Sequence, residues 1–285
     1  MMMYVDGELV SGEQAKVSVF DHGYMYGLGL FETFRVYNGH PFLLDDHFRR
    51  LQEGLHMLGI EWEMNRQDMS RVIDQLINAN QYQDQDVYVR WNVSAGDKGL
   101  GLYTGQYTEP VTVVYTKSLP EQMGREKQGV ILKTRRNTPE TKVRLKSHHY
   151  LNNIMAKREI GSDPSVEGIF LTEDGYLAEG IVSNLFWVKN GIVYTPSIET
   201  GILNGITRQF VIKIFEDSGY IVNAGKFPKE ELYEADEVFV TNSIQEVVSL
   251  TSIDRHTYDS KQTITRELQQ RYKLYSKKLW SKSEL

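Results

Sequence analysis

The chain has 285 residues, of which 40% are hydrophobic and 25% charged, the balance of an ordinary folded protein and unlike that of disordered or collagen-like chains. A formal net charge of -6 and a pI near 5.7 leave no basic footprint for gripping a polyanion, so nucleic acid is not an expected partner. The absence of cysteine excludes disulfides, thiolate metal sites and cysteine nucleophiles.

The length suits two domains that share a cleft. The opening MMMYVDGELVSG reaches Asp6 and Glu8 before an apolar stretch long enough for an export signal, and no run of about eighteen apolar residues occurs anywhere. The expectation is a cytoplasmic protein with no membrane partner.

In chain order, residues 3–10 read as a hairpin turning at Asp6-Gly7 and residues 30–44 as a second turning at Asn38-Gly39. Leu44, Phe48, Leu51, Leu55 and Leu58 recur at three- and four-residue spacing, which predicts an amphipathic helix over 44–58 opened by Asp45 and Asp46. A helix over 66–79 and strands over 86–94 and 110–116 follow. Residues 117–128 are polar, hold Pro120 and Gly124 and lack apolar periodicity. They read as a linker between a smaller N-terminal α/β domain, 1–116, and a larger strand-rich α/β domain, 129–285. Beyond it the pattern predicts a strand over 129–134, a helix over 149–160, and three strands within 168–195 separated by turns at Glu173-Asp174-Gly175 and Lys189-Asn190-Gly191. A turn and helix over 202–220, a strand over 237–241 and an exposed closing helix over 263–279 complete the reading.

Several segments carry residues suited to chemistry. Lys133, Lys142 and Lys146 lie among Arg135, Arg136 and Arg144. Nearby cations depress a lysine's pKa, and a lysine must lose its proton to attack a carbonyl or act as a base. The same composition also describes a solvated basic face, and it does not choose between Lys142 and Lys146. GILNGITR places Gly201 and Gly205 ahead of a helix, freeing amides where the helix dipole favours an anion, and Thr207 adds a hydroxyl. VFVTNSIQE ends a strand in Thr241, Asn242 and Ser243, small donors at a position where α/β proteins bind ligands. Either segment could equally be an ordinary cap or strand end. Glu179 shares its alternation phase with Ile181, Leu185 and Trp187, so its carboxylate is expected to be partly buried. Its partner would be a protonated pyridine nitrogen or an arginine such as Arg158. Gly23, Gly27 and Gly29 predict tight turning and a close backbone approach. His22, His148 and His149 lack metal-site spacing, and no metal is expected.

In this linear order, and from about residue 4 to 248, the segments resemble the class-IV aminotransferase family. FDHGYMYGLGLFETFRVYNGHPFLLDDHFRRL resembles its N-terminal signature, RLKSHHYLNN its lysine segment, EGIFLTEDGYLAEGIVSNLFWVKNGIVYTP its central signature, and GILNGITRQFV with TNSIQEV its phosphate cup. The resemblance implies the two-domain, mixed α/β (α+β) architecture of fold type IV, pyridoxal 5′-phosphate as cofactor, and a homodimer. It puts Lys146 on the lysine that carries the cofactor and acts as catalytic base, Glu179 on the acid facing the pyridine nitrogen, and Arg50 on the arginine gripping the phosphate. Ile206 and Thr207 fall on the helix-start phosphate contacts, Asn242 and Ser243 on the second contact, and Tyr150 on the tyrosine near the phenolic oxygen. Tyr26, Phe31 and Thr33 fall on pocket-lining positions, while Arg90 or Lys98 would supply the cation for a substrate carboxylate. Within the family the likeness runs furthest to the lyases that convert 4-amino-4-deoxychorismate to 4-aminobenzoate and pyruvate for folate synthesis. The alternative is a D-amino-acid or branched-chain aminotransferase. Phe31-Glu32-Thr33 favours the lyase, because branched-chain enzymes tend to carry glycine after the acid.

Overall fold

The computed structural model describes residues 1–120, 124, 126–259 and 261–285. The chain divides into two compact units: Met1–Glu121 with Lys146–His149 and Ser276–Glu284, and Gln122–Leu145 with Tyr150–Tyr275 and Leu285.

In the first unit, β1 (Met2–Val5) and β2 (Glu8–Ser11) form the first hairpin, turning at Asp6-Gly7, where both residues have positive φ. The short helix α1 (His22–Tyr26) is capped by Asp21, which accepts from the Gly23 and Tyr24 amides, and ends at Gly27 in the left-handed region. Then come β3 (Gly29–Tyr37), β4 (His40–Pro41), α2 (Leu44–Met57), α3 (Arg66–Ala79), β5 (Val87–Ser94) and β6 (Val111–Ser118). The sheet runs β2-β1-β6-β5-β3-β4. Along β5, Val87, Val89, Trp91 and Val93 are fully buried while Tyr88, Arg90, Asn92 and Ser94 are not, the two-residue alternation of a strand with one face in the core. Phe34, Phe48, Leu51 and Leu55 join that core from β3 and α2.

The second unit contains β7 (Glu126–Ile131), α4 (Leu151–Ile160), β8 (Val166–Leu171), β9 (Leu177–Gly180), β10 (Asn184–Lys189), β11 (Ile192–Pro196), α5 (Ile206–Asp217), β12 (Val222–Gly225), α6 (Glu230–Tyr233), β13 (Glu237–Asn242), β14 (Glu246–Ile253), β15 (His256–Thr257) and α7 (Thr263–Tyr275). Its sheet runs β12-β11-β10-β13-β14-β7-β8-β9, with β15 on β14. The core gathers Leu177, Leu185, Trp187, Val238, Val240, Val248 and Leu250.

Four differences from the expected elements have physical causes. Residues 166–196 hold four strands, because β9 and β10 are separated by a turn closed by the Gly180 amide on Ser183 O at 2.8 Å, with no glycine or proline after residue 180 to announce it. The strand β14 was not expected; it follows β13 through an Asx turn in which Asn242 Oδ1 accepts from the Ile244 and Gln245 amides at 3.0 and 2.7 Å. The strand β7 begins at Glu126 and β6 runs to Ser118, so both ends of the expected linker are sheet. Of the rest of that linker, Glu121, Gln122, Met123 and Arg125 lie outside the described residues. The closing helix stops at Tyr275, and residues 276–284 return to the first unit, where Asp46 accepts from Ser281 Oγ at 3.2 Å and the Lys282 amide at 2.6 Å.

A second return carries more consequence. The Phe31 amide donates to Lys146 O at 2.9 Å and the His148 amide to Gly29 O at 3.0 Å, with Leu30 facing Ser147 in an antiparallel bridge. Residues 146–148 therefore extend the sheet at the start of β3, and satisfying those backbone groups is what draws the segment into the first unit. Among the described residues, no helix is long and apolar enough to cross a membrane.

Candidate active site

The first unit presents one group of residues around Phe31. Thr33 pairs with Arg90, and Phe31 with Asn92, so all four project from the same face of the sheet. The Arg90 guanidinium lies 3.6 Å from the Phe31 ring centroid, and its Nε donates to Asn92 Oδ1 at 2.9 Å. Lys146 Nζ stands 4.5 Å from the same centroid. The expected close approach at the glycines is to this lysine's own segment. A Cβ on Gly29 would sit 2.6 Å from the His148 ring, and one on Gly27 would sit 2.3 Å from His149. Burial, then the neighbouring Arg90, pulls His148 down to about 4, so its imidazole is neutral at neutral pH. Lys142, the other lysine of the segment, is exposed. Of the two candidate substrate cations, Arg90 shares the Phe31 ring with Lys146, whereas Lys98 is 3.4 Å from Glu109 and 5.8 Å from the Tyr103 ring. Tyr26 packs edge-on against His22 at 4.8 Å and accepts from the Gly101 amide at 3.2 Å.

On the opposite face of β3, Glu32 meets α2. Its carboxylate accepts from Arg50 Nε and Nη2, each at 2.7 Å, and from His47 Nδ1 at 2.7 Å. His47 and Arg50 are three residues apart on the helix and so share a face. Burial alone would raise the Glu32 carboxyl, but Arg50 and His47 outweigh it and hold it at about 2. Burial pushes His47 down against the pull of Glu32, so a neutral imidazole donates to a carboxylate. Glu32 thereby sets the orientation of Arg50.

The second unit holds Glu179, buried at the end of β9. Its Oε1 accepts from Arg136 Nε at 2.8 Å; its Oε2 accepts from the Leu203 amide at 3.0 Å and Asn184 Nδ2 at 3.5 Å. Arg144 Nε lies 3.8 Å away. Burial, then Arg136, lowers Arg144 to about 10, which leaves it cationic at neutral pH. The arginine on Glu179 is thus Arg136 and not Arg158, which is exposed on α4. Adjacent strands decide this: the Arg136 amide bonds Leu171 O at the end of β8, and β9 is antiparallel to β8. Arg136 Nη1 is held in turn by Asn152 Oδ1 at 2.8 Å on α4. Tyr150 is the residue ahead of that helix and is partly buried.

In the same unit, α5 begins at Ile206 behind Gly205, with no side chain capping its first amides. A Cβ on Gly205 would lie 2.1 Å from Asn184 Oδ1, so only glycine fits there. Thr207 Oγ1 and Ser243 Oγ are 3.2 Å apart, which brings the two phosphate-like segments together. Next to them Thr241 Oγ1 is buried and has no hydrogen-bond partner among the described residues. Uncapped helix amides, paired hydroxyls and an orphaned hydroxyl form a cradle for an anion.

Residues 29–253 match the family model for amino-transferase class IV. The chain belongs to that family. It is 47% identical over 260 residues to the aminodeoxychorismate lyase of Bacillus subtilis (strain 168), covering 91% of this chain and 89% of that one. It is 32% identical to the D-alanine aminotransferase of Bacillus licheniformis, covering 91% of each. Among solved structures it resembles the T.th. branched-chain amino acid aminotransferase complexed with N-(5′-phosphopyridoxyl)-L-glutamate, with a TM-score of 0.83 and 28% identity, covering 95% of this chain and 92% of that one. The mixed α/β fold with two sheets is the fold type IV architecture of such class IV enzymes.

The residues of this class IV chain fit a phosphorylated pyridine. The α5 start and the Thr207 and Ser243 hydroxyls suit its phosphate, and Glu179, held by Arg136, suits a protonated ring nitrogen. Lys146 is the lysine set against the Phe31 ring. Glu32, His47, Arg136 and Asn184 were not among the expected site residues. The signal for Glu32 was present, since it shares the inward phase of Phe34 and Val36. Among the described residues there is no His, Asp and Glu cluster suited to a metal ion.

Proposed function

We propose that the chain is a pyridoxal-phosphate-dependent 4-amino-4-deoxychorismate lyase of folate synthesis, acting as a cytoplasmic homodimer. The observation that carries this reading is the 47% identity to an aminodeoxychorismate lyase along 91% of the chain. In this reading Lys146 holds the cofactor covalently, Glu179 faces its ring nitrogen, and Ile206, Thr207, Asn242, Ser243 and Arg50 bind its phosphate. Tyr150 stands near its phenolic oxygen, while Tyr26, Phe31, Thr33 and Arg90 receive the substrate.

Bound there, pyridoxal phosphate supplies the electron sink that makes the amine-bearing carbon of the substrate acidic. Lys146 Nζ takes the proton from that carbon. The neighbouring carbon–oxygen bond breaks, the enolpyruvyl group takes up a proton and leaves as pyruvate, and the six-membered ring becomes aromatic as 4-aminobenzoate. Arg90, stacked on Phe31 and tied to Asn92, offers a guanidinium for a substrate carboxylate. Arg136 holds Glu179 Oε1 in place, so that the side chain is oriented to meet the ring nitrogen.

The rival chemistry is amino-group transfer, which one fold hosts as readily as elimination. The test is to supply aminodeoxychorismate with no keto acid. Formation of 4-aminobenzoate and pyruvate in equal amounts is expected; turnover only with an amino acid and a keto acid together would overturn the lyase reading.

A further inference from the structure

We infer that the buried pair Lys127 and Glu167, which takes no part in the chemistry above, is a positioning device for the cofactor phosphate site. The inference rests on the reading of Thr207 and Ser243 as phosphate contacts.

Lys127 leaves β7 and Glu167 leaves β8, two parallel neighbours in the sheet of the second unit. Their side chains are 10% and 5% exposed, with Nζ 3.1 Å from Glu167 Oε2. A buried ion pair gains little net stability over apolar residues of the same volume, because both charges are desolvated; what it can fix is geometry. Here each partner has a second bond, and the two second bonds lead to two different turns of the candidate site.

The lysine arm reaches the β13–β14 turn. Lys127 Nζ donates to Gln245 Oε1 at 3.1 Å, and the same oxygen accepts from Asn242 Nδ2 at 3.3 Å. Asn242 Oδ1 in turn accepts from the Ile244 and Gln245 amides. The turn is thus closed across its base by Asn242 and tethered to the sheet by Lys127, with Ser243 between the two ends. The glutamate arm reaches the β9–β10 turn. Glu167 Oε1 accepts from Ser183 Oγ at 2.9 Å, at a point where a Cβ on Gly180 would lie 2.1 Å from that hydroxyl and 2.6 Å from the carboxylate. Glycine next to Glu179 is therefore what lets Glu167 approach. Asn184, the residue after Ser183, donates to Leu203 O at 2.8 Å and reaches Glu179.

One ion pair therefore ties the turn bearing Ser243 to the turn beside Glu179. A salt bridge that only stabilised the sheet would need neither arm. Lys127 touches no proposed cofactor contact itself; it acts through Gln245 and the backbone of the turn.

The test compares how tightly the holoenzyme retains pyridoxal phosphate and pyridoxal, which lacks the phosphate, followed by cofactor absorbance on dilution. Lys127→Met is expected to weaken retention of pyridoxal phosphate by about 10-fold, the order seen when a residue supporting a direct ligand is removed, with pyridoxal much less affected. Gln245→Ala should do the same, the double variant should be little worse than either single one, and Lys127→Arg should recover part of the loss. Gln245→Ala also covers the case in which Lys127→Met does not fold. Ser243→Ala is the control for the phosphate site. If Ser243→Ala loses the preference for the phosphorylated cofactor while Lys127→Met and Gln245→Ala keep it, the positioning role is overturned and the phosphate site stands. If the wild type itself shows no such preference, the phosphate site is overturned and this inference with it. Equal weakening for both cofactors in Lys127→Met would overturn the positioning role and mark the pair as structural support only.

Discussion

Replacing Glu32 by glutamine tests the buried cluster behind β3. The carboxyl is held at about 2 against an ordinary 4.5, because Arg50 and His47 outweigh the cost of burial. Its folded value lies below its unfolded one, so the contribution is fully present above about pH 4.5 and is lost as pH falls towards 2. A shift of that size is worth about 3 kcal/mol at pH 7, and less than half of it remains at pH 3. Glu32→Gln keeps the shape and removes the charge. Urea denaturation of both proteins should give a stability difference of about 3 kcal/mol at neutral pH that shrinks by half or more at pH 3. The variant should also retain pyridoxal phosphate less well, because glutamine offers one acceptor oxygen where the carboxylate offers two, and one of the two hydrogen bonds from Arg50 is lost with the charge that holds it. A stability difference independent of pH would refute the electrostatic reasoning.

Gly205→Ala puts a methyl 2.1 Å from an Asn184 oxygen whose amide is already held by Leu203 O. Overpacking of this kind costs about 1–3 kcal/mol, so cofactor affinity should fall about 10-fold or more in an equilibrium titration. Arg90→Met should raise KM for the substrate by about 10- to 100-fold, the value of a charge-assisted hydrogen bond, while Lys98→Met should change it little. Comparable effects would remove the distinction between the two cations. His148 should titrate near 4 by NMR. Since burial lowers it from 6.5, its stability contribution is complete above about that pH and declines as pH falls towards 4. A midpoint near 6.5 would mean that the imidazole is solvated.

Much of the fold was legible wherever one period dominates. The helices α2 and α3 were expected almost to the residue because apolar side chains recur at three and four, and the hairpins at Asp6-Gly7 and Asn38-Gly39 because those pairs adopt positive φ readily. The strand β14 was missed because its turn is built by an asparagine side chain rather than by glycine or proline. The return of residues 146–148 to β3 was invisible because its partner, the start of β3, is remote in the chain; Gly27 and Gly29 signalled a close approach without naming what approaches. Composition could not separate Lys146 from Lys142, since both sit among the same arginines, and the resemblance made that choice. Burial now separates them, with Lys146 against Phe31 and Lys142 in solvent. Of the two partners the sequence allows for Glu179, a pyridine nitrogen or an arginine such as Arg158, the arginine is Arg136 on the chain leaving β7, a choice made by sheet adjacency and not by spacing.

Reductive trapping of the cofactor with borohydride, followed by peptide mapping, tests most directly the claim that this chain builds its chemistry on the lysine delivered to β3. The account predicts a single phosphopyridoxyl label on Lys146, absent in Lys146→Ala. A label on Lys142 or Lys133, or no label on protein saturated with pyridoxal phosphate, would contradict it.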